Sequence, residues 1–210
     1  MSAAIRPATA ADVDAIAALK QSLALDGQSG ARGGFLLGCS RERYALLVAH
    51  AHVLVLEENG ALTGFAITLP DPLLRASELW SRRALIRWHA NESEPPEHAA
   101  IAYFDQLALA RTASRLHAPA LALAAVRQLI KSGHQHLYAT LLHAPFRNHA
   151  SLPLLRAAGA RAVAFVPETY PQVGPIVSEL HHLRLDSALA ARAAAPLGTR
   201  LALSAERLAA

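Results

Sequence analysis

Runs of apolar residues separated by turn signals predict the secondary structure of the first half of the chain. Residues 53–69 hold two β-rich runs on either side of Asn59 and Gly60. Asn-Gly is a strong signal for a tight turn between antiparallel strands, so a hairpin is predicted here. Upstream, residues 4–9 are predicted as a short edge strand, and residues 40–49 as a helix whose first residue, a serine, is the N-cap.

The second half of the chain alternates strand-like runs with helical ones. Residues 99–110 and 136–144 are predicted as strands, each followed by a helix that ends at a glycine, Gly133 and Gly159. Two final strands, within residues 162–185, form a second hairpin. Strands that alternate with helices require parallel pairing, and hairpins require antiparallel pairing. We therefore predict an α/β fold, with a central mixed sheet flanked by helices on both faces.

Residues 70–98 break this pattern and resemble an insertion. One helix is predicted around residues 76–88, followed by a polar loop with two prolines. The chain is therefore predicted to form one domain over residues 1–186, with an alanine-rich tail over residues 187–210. The tail can pack on its own domain or on a second subunit, which leaves a homodimer open.

Composition and charge narrow the classes of function. Hydrophobic residues make up 53% of the 210 residues and charged residues 17%, which is enough apolar content to bury a core. The net charge of +4 is spread along the chain and suits a small anionic ligand. Nucleic-acid binding is disfavoured, because aromatic residues make up 5% and no run of lysine and arginine exceeds two. Without a signal peptide or a membrane-length apolar run, we expect a cytoplasmic protein with no membrane partner.

The histidines and the single cysteine do not predict a metal site. Cys39 stands alone, so the eleven histidines lack the thiolate partners of a structural zinc site. The neighbours His181 and His182 lie in a predicted strand, where successive side chains point to opposite faces. We therefore expect no bound metal.

The junction between the strand that ends near residue 110 and the next helix carries candidate chemistry. The helix is predicted to open at residues 118–120, with Pro119 at its first position and no good side-chain cap. Unpaired amides at a helix N-terminus favour an anion. Arg115 adds a guanidinium for phosphate oxygens, and His117 can donate a further hydrogen bond. A diphosphate ligand is therefore predicted here. The other interpretation, an ordinary surface turn capped by water or by a nearby serine or threonine, stays open at this point.

The order of motifs resembles the GCN5-related N-acetyltransferase (GNAT) superfamily. An Arg-x-x-Ala-x-Ala loop begins at Arg115, in place of the family's Arg/Gln-x-x-Gly-x-Gly/Ala loop. An Asn-x-x-Ser-x-x-Leu-Leu-x-x-x-Gly helix follows at the correct spacing, from Asn148 to Gly159. The resemblance covers residues 4–185 apart from residues 70–98.

The resemblance implies a GNAT-like acyl-CoA N-acyltransferase fold and acetyl-CoA as co-substrate. Backbone groups on the strand before the loop would bind the pantetheine arm, the loop would hold the pyrophosphate, and the asparagine would contact the pantetheine. The implied cofactor-binding residues are Leu107, Ala108, Leu109, Arg115, Leu116, His117, Ala118, Pro119, Ala120 and Asn148. The implied partner is a small-molecule or peptide amine.

Acetyl transfer by direct attack needs a neutral amine, so a base must remove the ammonium proton. The resemblance implies an acid on the central strand, and Asp105 is the nearest match. His143, at the end of the next strand, is the second candidate, because an unperturbed histidine titrates near neutral pH. The alternative interpretation is that Asp105 is a strand-end acid that pairs with an arginine. Where the family has a tyrosine that protonates the departing thiolate, this chain has Leu155. Tyr170, in the loop between the last two strands, is the other candidate for that proton donor.

A second function is compatible with the same fold. Both glycine positions of the loop hold alanine, Pro119 removes an amide donor, and the family's tyrosine is missing. These departures suggest a catalytically inactive module that senses a ligand or binds a protein. The acceptor pocket is expected between residues 26–39, residues 70–98 and residues 167–175.

Overall fold

One mixed β-sheet organises the molecule. The computed structural model describes residues 3–25, 34–35, 37–145, 147–171 and 173–185. The strands are β1 (Ala3–Pro7), β2 (His52–Glu58), β3 (Ala61–Leu69), β4 (Arg87–Trp88), β5 (Ile101–Leu109), β6 (His136–Ala144), β7 (Arg161–Tyr170) and β8 (Gly174–Arg184). In this part of the chain they form one eight-stranded sheet in the order β1-β2-β3-β5-β6-β8-β7-β4. Strands β5 and β6 pair in parallel and the other neighbours pair antiparallel, which confirms the predicted mixed sheet.

Helices cover both faces of this sheet. They are α1 (Val13–Ser22), α2 (Arg41–His50), α3 (Asp71–Arg75), α4 (Glu78–Ser81), α5 (His117–Lys131) and α6 (Leu152–Ala158). Along β2, Val53 and Val55 pack in the cluster that contains α1 and α2, whereas Leu54 and Leu56 pack with α5. Strand β2 is therefore buried on both faces, which explains its continuous apolar run.

Local signals place the turns and helix ends as predicted. Asn59 and Gly60 both have positive φ, 53° and 81°, as a two-residue hairpin turn requires. The hydroxyl of Ser40 accepts a hydrogen bond from the amide of Arg43 at 3.2 Å, so Ser40 is the N-cap of α2. Gly159 ends α6 with a φ of 89°, a conformation that glycine adopts without strain.

The prediction of one helix around residues 76–88 is wrong. Helix α3 ends before this range, at Arg75, and the range itself holds only one α-helix, the short α4. Ser77 starts α4 by accepting a hydrogen bond from the amide of Trp80 at 3.4 Å. After a single 3₁₀ turn, β4 pairs with β7 at the edge of the sheet. The segment therefore covers one face of the sheet and extends it by one strand.

Some predictions fall on parts of the chain outside the described residues. These are the tail over residues 187–210 and most of the glycine-rich stretch within residues 26–39. Among the helices that are described, α5 is the longest, with 15 residues. No helix in the described ranges has both the length and the apolar character needed to cross a membrane.

The centre of the sheet opens between β5 and β6. The two strands pair in parallel only from Ile101 to Phe104 on β5, and their later residues have no register with each other. On the other side of β5, the pairing with β3 shifts by one residue, so that Asp105 lies in a β-bulge. The divergence leaves one edge of β5 without a strand partner and creates a cleft.

Candidate functional site

A cavity of about 980 Å³ fills the cleft between the diverging strands. It is lined by β5 from Phe104 to Leu109, by β6 from Ala139 to Leu142, by one side of α5 as far as Val126, and by α6. One end reaches Arg111 and Arg115 in the loop before α5. Such a cavity is large enough for a cofactor-sized ligand.

The cavity brings together seven of the ten predicted cofactor-binding residues. These seven are Leu107, Ala108, Leu109, Arg115, Ala118, Pro119 and Asn148. The other three do not line it. Leu116 is exposed to solvent and Ala120 is buried in the core. The Nδ1 atom of His117 lies 3.3 Å from Oε1 of Glu58 on the β2–β3 hairpin, so this side chain ties the start of α5 to the sheet.

Helix α5 begins two residues earlier than predicted. Its first residue is His117, and Pro119 therefore occupies the third helical position rather than the first. The reason is a tight turn in which the amides of His117 and Ala118 donate to the carbonyls of Ser114 and Arg115, at 3.0 Å and 3.2 Å. These two amides are used within the chain and are not free for a ligand.

Unpaired donors remain at the mouth of α5. Within the described structure, no serine, threonine or other side chain caps the N-terminus of this helix. The amides of Arg115 and Leu116 have no hydrogen-bond partner among the described residues. In the same part of the chain, the guanidinium groups of Arg111 and Arg115 have no ion-pair partner. Arg111 was not predicted from the sequence. Its position four residues before Arg115 was the one signal that could have identified it.

Asp105 lines the cavity at its other end. The amide nitrogen of the Gln106 side chain donates to Oδ2 of Asp105 at 3.0 Å, and the hydroxyl of Tyr44 donates to Oε1 of Gln106 at 2.9 Å. Burial raises the pKa of the Asp105 carboxyl above its ordinary value. Within the described residues Asp105 forms no ion pair with an arginine. A carboxyl with a raised pKa is better matched to accept a proton near neutral pH.

Lys20 is a buried cation close to Asp105 that sequence reasoning missed. Its side chain reaches under the rings of Phe35 and Tyr44, with Nζ 4.7 Å and 5.9 Å from the two ring centroids. Burial lowers the pKa of the Lys20 ammonium, and the charge of Asp105 opposes this effect. On a surface helix a lysine is usually exposed, so the sequence held no signal for this placement.

The remaining catalytic candidates lie away from the cavity. The ring of His143 packs edge-on against Phe165 with centroids 5.0 Å apart and does not line the cavity. Tyr170 donates to Glu168 at 2.8 Å and accepts from Arg82 at 3.1 Å, also outside it. Leu155 does line the cavity, and within the described chain no tyrosine joins it there.

The two adjacent histidines on β8 have separate partners, as strand alternation predicts. Nε2 of His181 lies 2.9 Å from Oε2 of Glu179, and Nε2 of His182 lies 3.0 Å from Nδ1 of His136. Among the residues that the structure describes, no group of three or more histidine, cysteine, aspartate or glutamate side chains could hold a metal ion.

Removing the Tyr44 hydroxyl is expected to lower the free energy of unfolding by about 1–3 kcal/mol, because Gln106 would lose a buried partner. Urea denaturation of Tyr44→Phe measures this change. The control is Tyr138→Phe, since the Tyr138 hydroxyl has no hydrogen bond among the described residues. Equal losses in the two variants would contradict the role of the Tyr44–Gln106 contact.

Comparison with solved structures finds the same fold in N-acetyltransferases. An N-acetyltransferase from Staphylococcus aureus Mu50 matches with a TM-score of 0.61 at 15% identity, over 89% of this chain and 100% of that chain. The ribosomal-protein-S18-alanine N-acetyltransferase of Escherichia coli matches with a TM-score of 0.60 at 16% identity, over 88% and 95%. The protein yncA of Salmonella typhimurium, solved with its cofactor acetyl-CoA, matches with a TM-score of 0.62 at 16% identity, over 89% and 96%.

The other two comparisons find nothing. No protein-family model matches the chain, and no curated protein matches it. At 15–16% identity the structural matches show a shared fold, and the predicted GNAT-like fold is confirmed.

Proposed function

We propose that this chain, which has the GNAT fold, transfers an acetyl group from acetyl-CoA to a primary amine of a small molecule or peptide by direct attack. The observation that carries the proposal is one cavity with anion-binding groups at one end and a half-buried carboxyl at the other. Arg111 and Arg115 line the first end, with the unpaired amides of Arg115 and Leu116 in the same loop, and Asp105 lines the second. The fold is shared with yncA, which was solved with acetyl-CoA as its cofactor.

The residues at the mouth of α5 suit the diphosphate of acetyl-CoA. Arg111 and Arg115 supply two unpaired guanidinium groups, and the amides of Arg115 and Leu116 supply neutral donors beside a helix N-terminus. Ala118 presents a methyl group to the cavity where the family has glycine, so we assign the diphosphate to the Arg115 side of the loop. The open edge of β5 at residues 107–109 suits the amide groups of pantetheine, which would extend the sheet.

Acetyl-CoA would supply an activated acetyl group, and residues of this chain would accept and deliver the protons. An ammonium ion must lose two protons to become an amide. The first passes to Asp105, directly or through a water molecule, which frees the nitrogen lone pair. As the carbon–nitrogen bond forms and the carbon–sulfur bond breaks, the second proton goes to the departing thiolate through water, since Leu155 cannot donate one. The Gln106 side chain donates a hydrogen bond to the Asp105 carboxylate and is itself fixed by a hydrogen bond from the Tyr44 hydroxyl. These two bonds hold the carboxylate in place.

Calorimetric titration of the purified chain with acetyl-CoA is expected to give saturable heat, and addition of an accepted amine is expected to release CoA thiol. S-acetyl-pantetheine, which lacks the diphosphate, is the control ligand and should bind more weakly because it cannot reach the arginines. The absence of heat and of any thermal shift at millimolar acetyl-CoA would contradict the proposal.

A ligand-sensing module is the second candidate function. The observation that favours it is the placement of Leu155 in the cavity where the family has its tyrosine acid. Such a module would bind acetyl-CoA with the same groups and release no thiol with any amine of a broad panel. Turnover that disappears in Asp105→Asn would exclude it.

A further inference from the structure

A second cavity lies on the face of the sheet that carries α1 and α2. Its volume is about 90 Å³, and residues of α3, α4 and β4 cover it. Its walls are aromatic and aliphatic and include Trp80, Trp88, Tyr103, Tyr138, Val166 and Leu180. The segment over residues 70–98 therefore shapes a small, largely apolar pocket that is open to solvent on one side.

The two cavities meet at Thr140. This residue lines both of them, and its hydroxyl shares a hydrogen bond with the hydroxyl of Tyr103. Thr140 follows the last parallel pair of β5 and β6, Phe104 with Ala139, so the junction lies where the strands begin to diverge. The bulge at Asp105 is next to the same point on β5. The small pocket therefore adjoins the large cavity near the proposed base, and Thr140 forms part of the wall between them.

The charged groups around the small pocket are already paired. Arg82 contacts Glu168 at 2.9 Å, and Arg83 contacts Glu94 at 3.2 Å. Within the described chain, no unpaired carboxylate therefore lines this pocket to receive a cationic group. An unpaired charge is unfavourable in apolar surroundings, so the pocket disfavours a charged group.

The volume of the pocket limits the size of the group that fits. An apolar cavity of roughly 150 Å³ binds benzene, so a pocket of about 90 Å³ takes a smaller group. A branched or straight aliphatic chain of roughly three or four carbon atoms satisfies this limit.

We propose that the acceptor is a primary amine whose carbon framework carries a compact, uncharged aliphatic group, and that this group binds in the pocket walled by Trp80, Tyr138 and Val166. This inference rests on the proposed acetyl transfer. Two sources share the chemistry: a free aliphatic amine, and a peptide whose N-terminal residue has a side chain like that of valine or leucine. Polyamines and aminoglycosides lack such a group, and their additional charges would meet only paired carboxylates.

The test is a thiol-release assay at saturating acetyl-CoA with matched acceptors. One arm compares isobutylamine with spermidine, and the other compares peptides that begin with valine, leucine, glycine or lysine. We expect kcat/KM to be at least tenfold higher for the aliphatic member of each arm, the effect of one or two buried methylene groups. The arm with the higher values identifies the source.

Two variants of Val166 test the pocket itself. Val166→Phe fills the pocket and is expected to lower kcat/KM for the aliphatic acceptor at least tenfold, with acetyl-CoA affinity unchanged. Val166→Ala enlarges the pocket and should shift the preference towards a larger side chain, such as that of phenylalanine. Val177→Phe is the matched control, because Val177 lies on β8 and lines neither cavity.

The outcomes separate this inference from the proposed function. Preference for spermidine or for a lysine N-terminus, or unchanged acceptor selectivity in both Val166 variants, would overturn the substrate class alone. Failure to bind acetyl-CoA, or to acetylate any amine, would overturn the proposed function and this inference with it. Thermal melting and acetyl-CoA titration of each variant show whether a loss reflects misfolding, in which case Val166→Ala decides.

Discussion

Replacing Asp105 with asparagine is expected to lower kcat/KM for amine acetylation by about 100-fold or more, the usual contribution of a positioned base. The asparagine side chain keeps the shape of aspartate, and its carbonyl oxygen can still accept the hydrogen bond from Gln106. The loss therefore reports on proton acceptance rather than on packing. Initial rates of thiol release at saturating acetyl-CoA measure it.

The pH profile gives this variant a specific signature. Burial raises the pKa of the Asp105 carboxyl, and only the ionised form accepts a proton. Wild-type activity should therefore rise with pH through this pKa, on a limb that lies above the ordinary range of aspartate and vanishes in Asp105→Asn. Asp14→Asn, at an exposed carboxylate paired with Arg41, is the control and should keep both rate and profile. An unchanged profile in Asp105→Asn would show that another group is the base.

The same substitution is expected to stabilise the fold at neutral pH. A carboxyl whose pKa is raised in the folded state binds its proton more tightly there than in the unfolded chain. Its contribution to stability is complete below the unfolded pKa and is lost as pH rises through the folded pKa. Asparagine has no charge to bury, so the melting temperature at neutral pH should rise while activity falls, as is common at functional sites.

Removing both arginines at the mouth of α5 is expected to weaken acetyl-CoA binding about 100-fold. Each charge-assisted contact to a phosphate oxygen should contribute about tenfold, or about 1.4 kcal/mol, at this exposed position. Calorimetric titration of the double variant Arg111→Ala with Arg115→Ala measures the loss. Affinity of the wild type should also fall with added salt more steeply than that of the variant.

A matched double variant separates local contacts from net charge. Arg41→Ala with Arg127→Ala removes the same charge, but neither residue lines the cavity. This control should bind acetyl-CoA as the wild type does. S-acetyl-pantetheine should bind the wild type and both double variants equally, because it has no diphosphate. If the two double variants lose the same affinity for acetyl-CoA, only general electrostatics is at work and the assigned diphosphate site is wrong.

Much of the fold was predictable because its signals are local. Asn59 and Gly60 specify the first hairpin through their own backbone conformations, and Gly159 ends α6 in the same way. The order of strands and helices in the second half follows from apolar runs and these glycines. The GNAT-like fold could be expected from the spacing between Arg115 and Asn148.

The predictions that were wrong, and the features that were not predicted, depend on contacts between segments far apart in the sequence. Strand β4 exists because Arg87 and Trp88 find an open edge on β7, and two residues carry no strand signal of their own. The bulge at Asp105 is a mismatch of register between β3 and β5. Lys20 is buried because Phe35, fifteen positions later, packs over it. None of these contacts is encoded in a pattern within a single element.

The lining of the large cavity was more predictable than that of the small pocket. Seven residues expected for the cofactor line the large cavity. Six of them belong to β5, the loop after it and the start of α5, and Asn148 lies in the loop between β6 and α6. The proposed acceptor pocket joins α3, α4, β4, β5, β6, β7 and β8. Of the three segments expected from the sequence, residues 70–98 supply much of its lining and residues 167–175 supply Glu168, whereas no described residue of 26–39 lines it. Prediction of the pocket required the pairing of β4 and the folding of two short helices.

The most direct test is a structure of the protein with CoA bound. We predict the diphosphate at the amides of Arg115 and Leu116 between the guanidinium groups of Arg111 and Arg115, with the pantetheine arm along β5 and its thiol near Asp105. Density for CoA at any other place, or a β5–β6 cleft that holds no CoA at saturating concentration, would contradict this prediction.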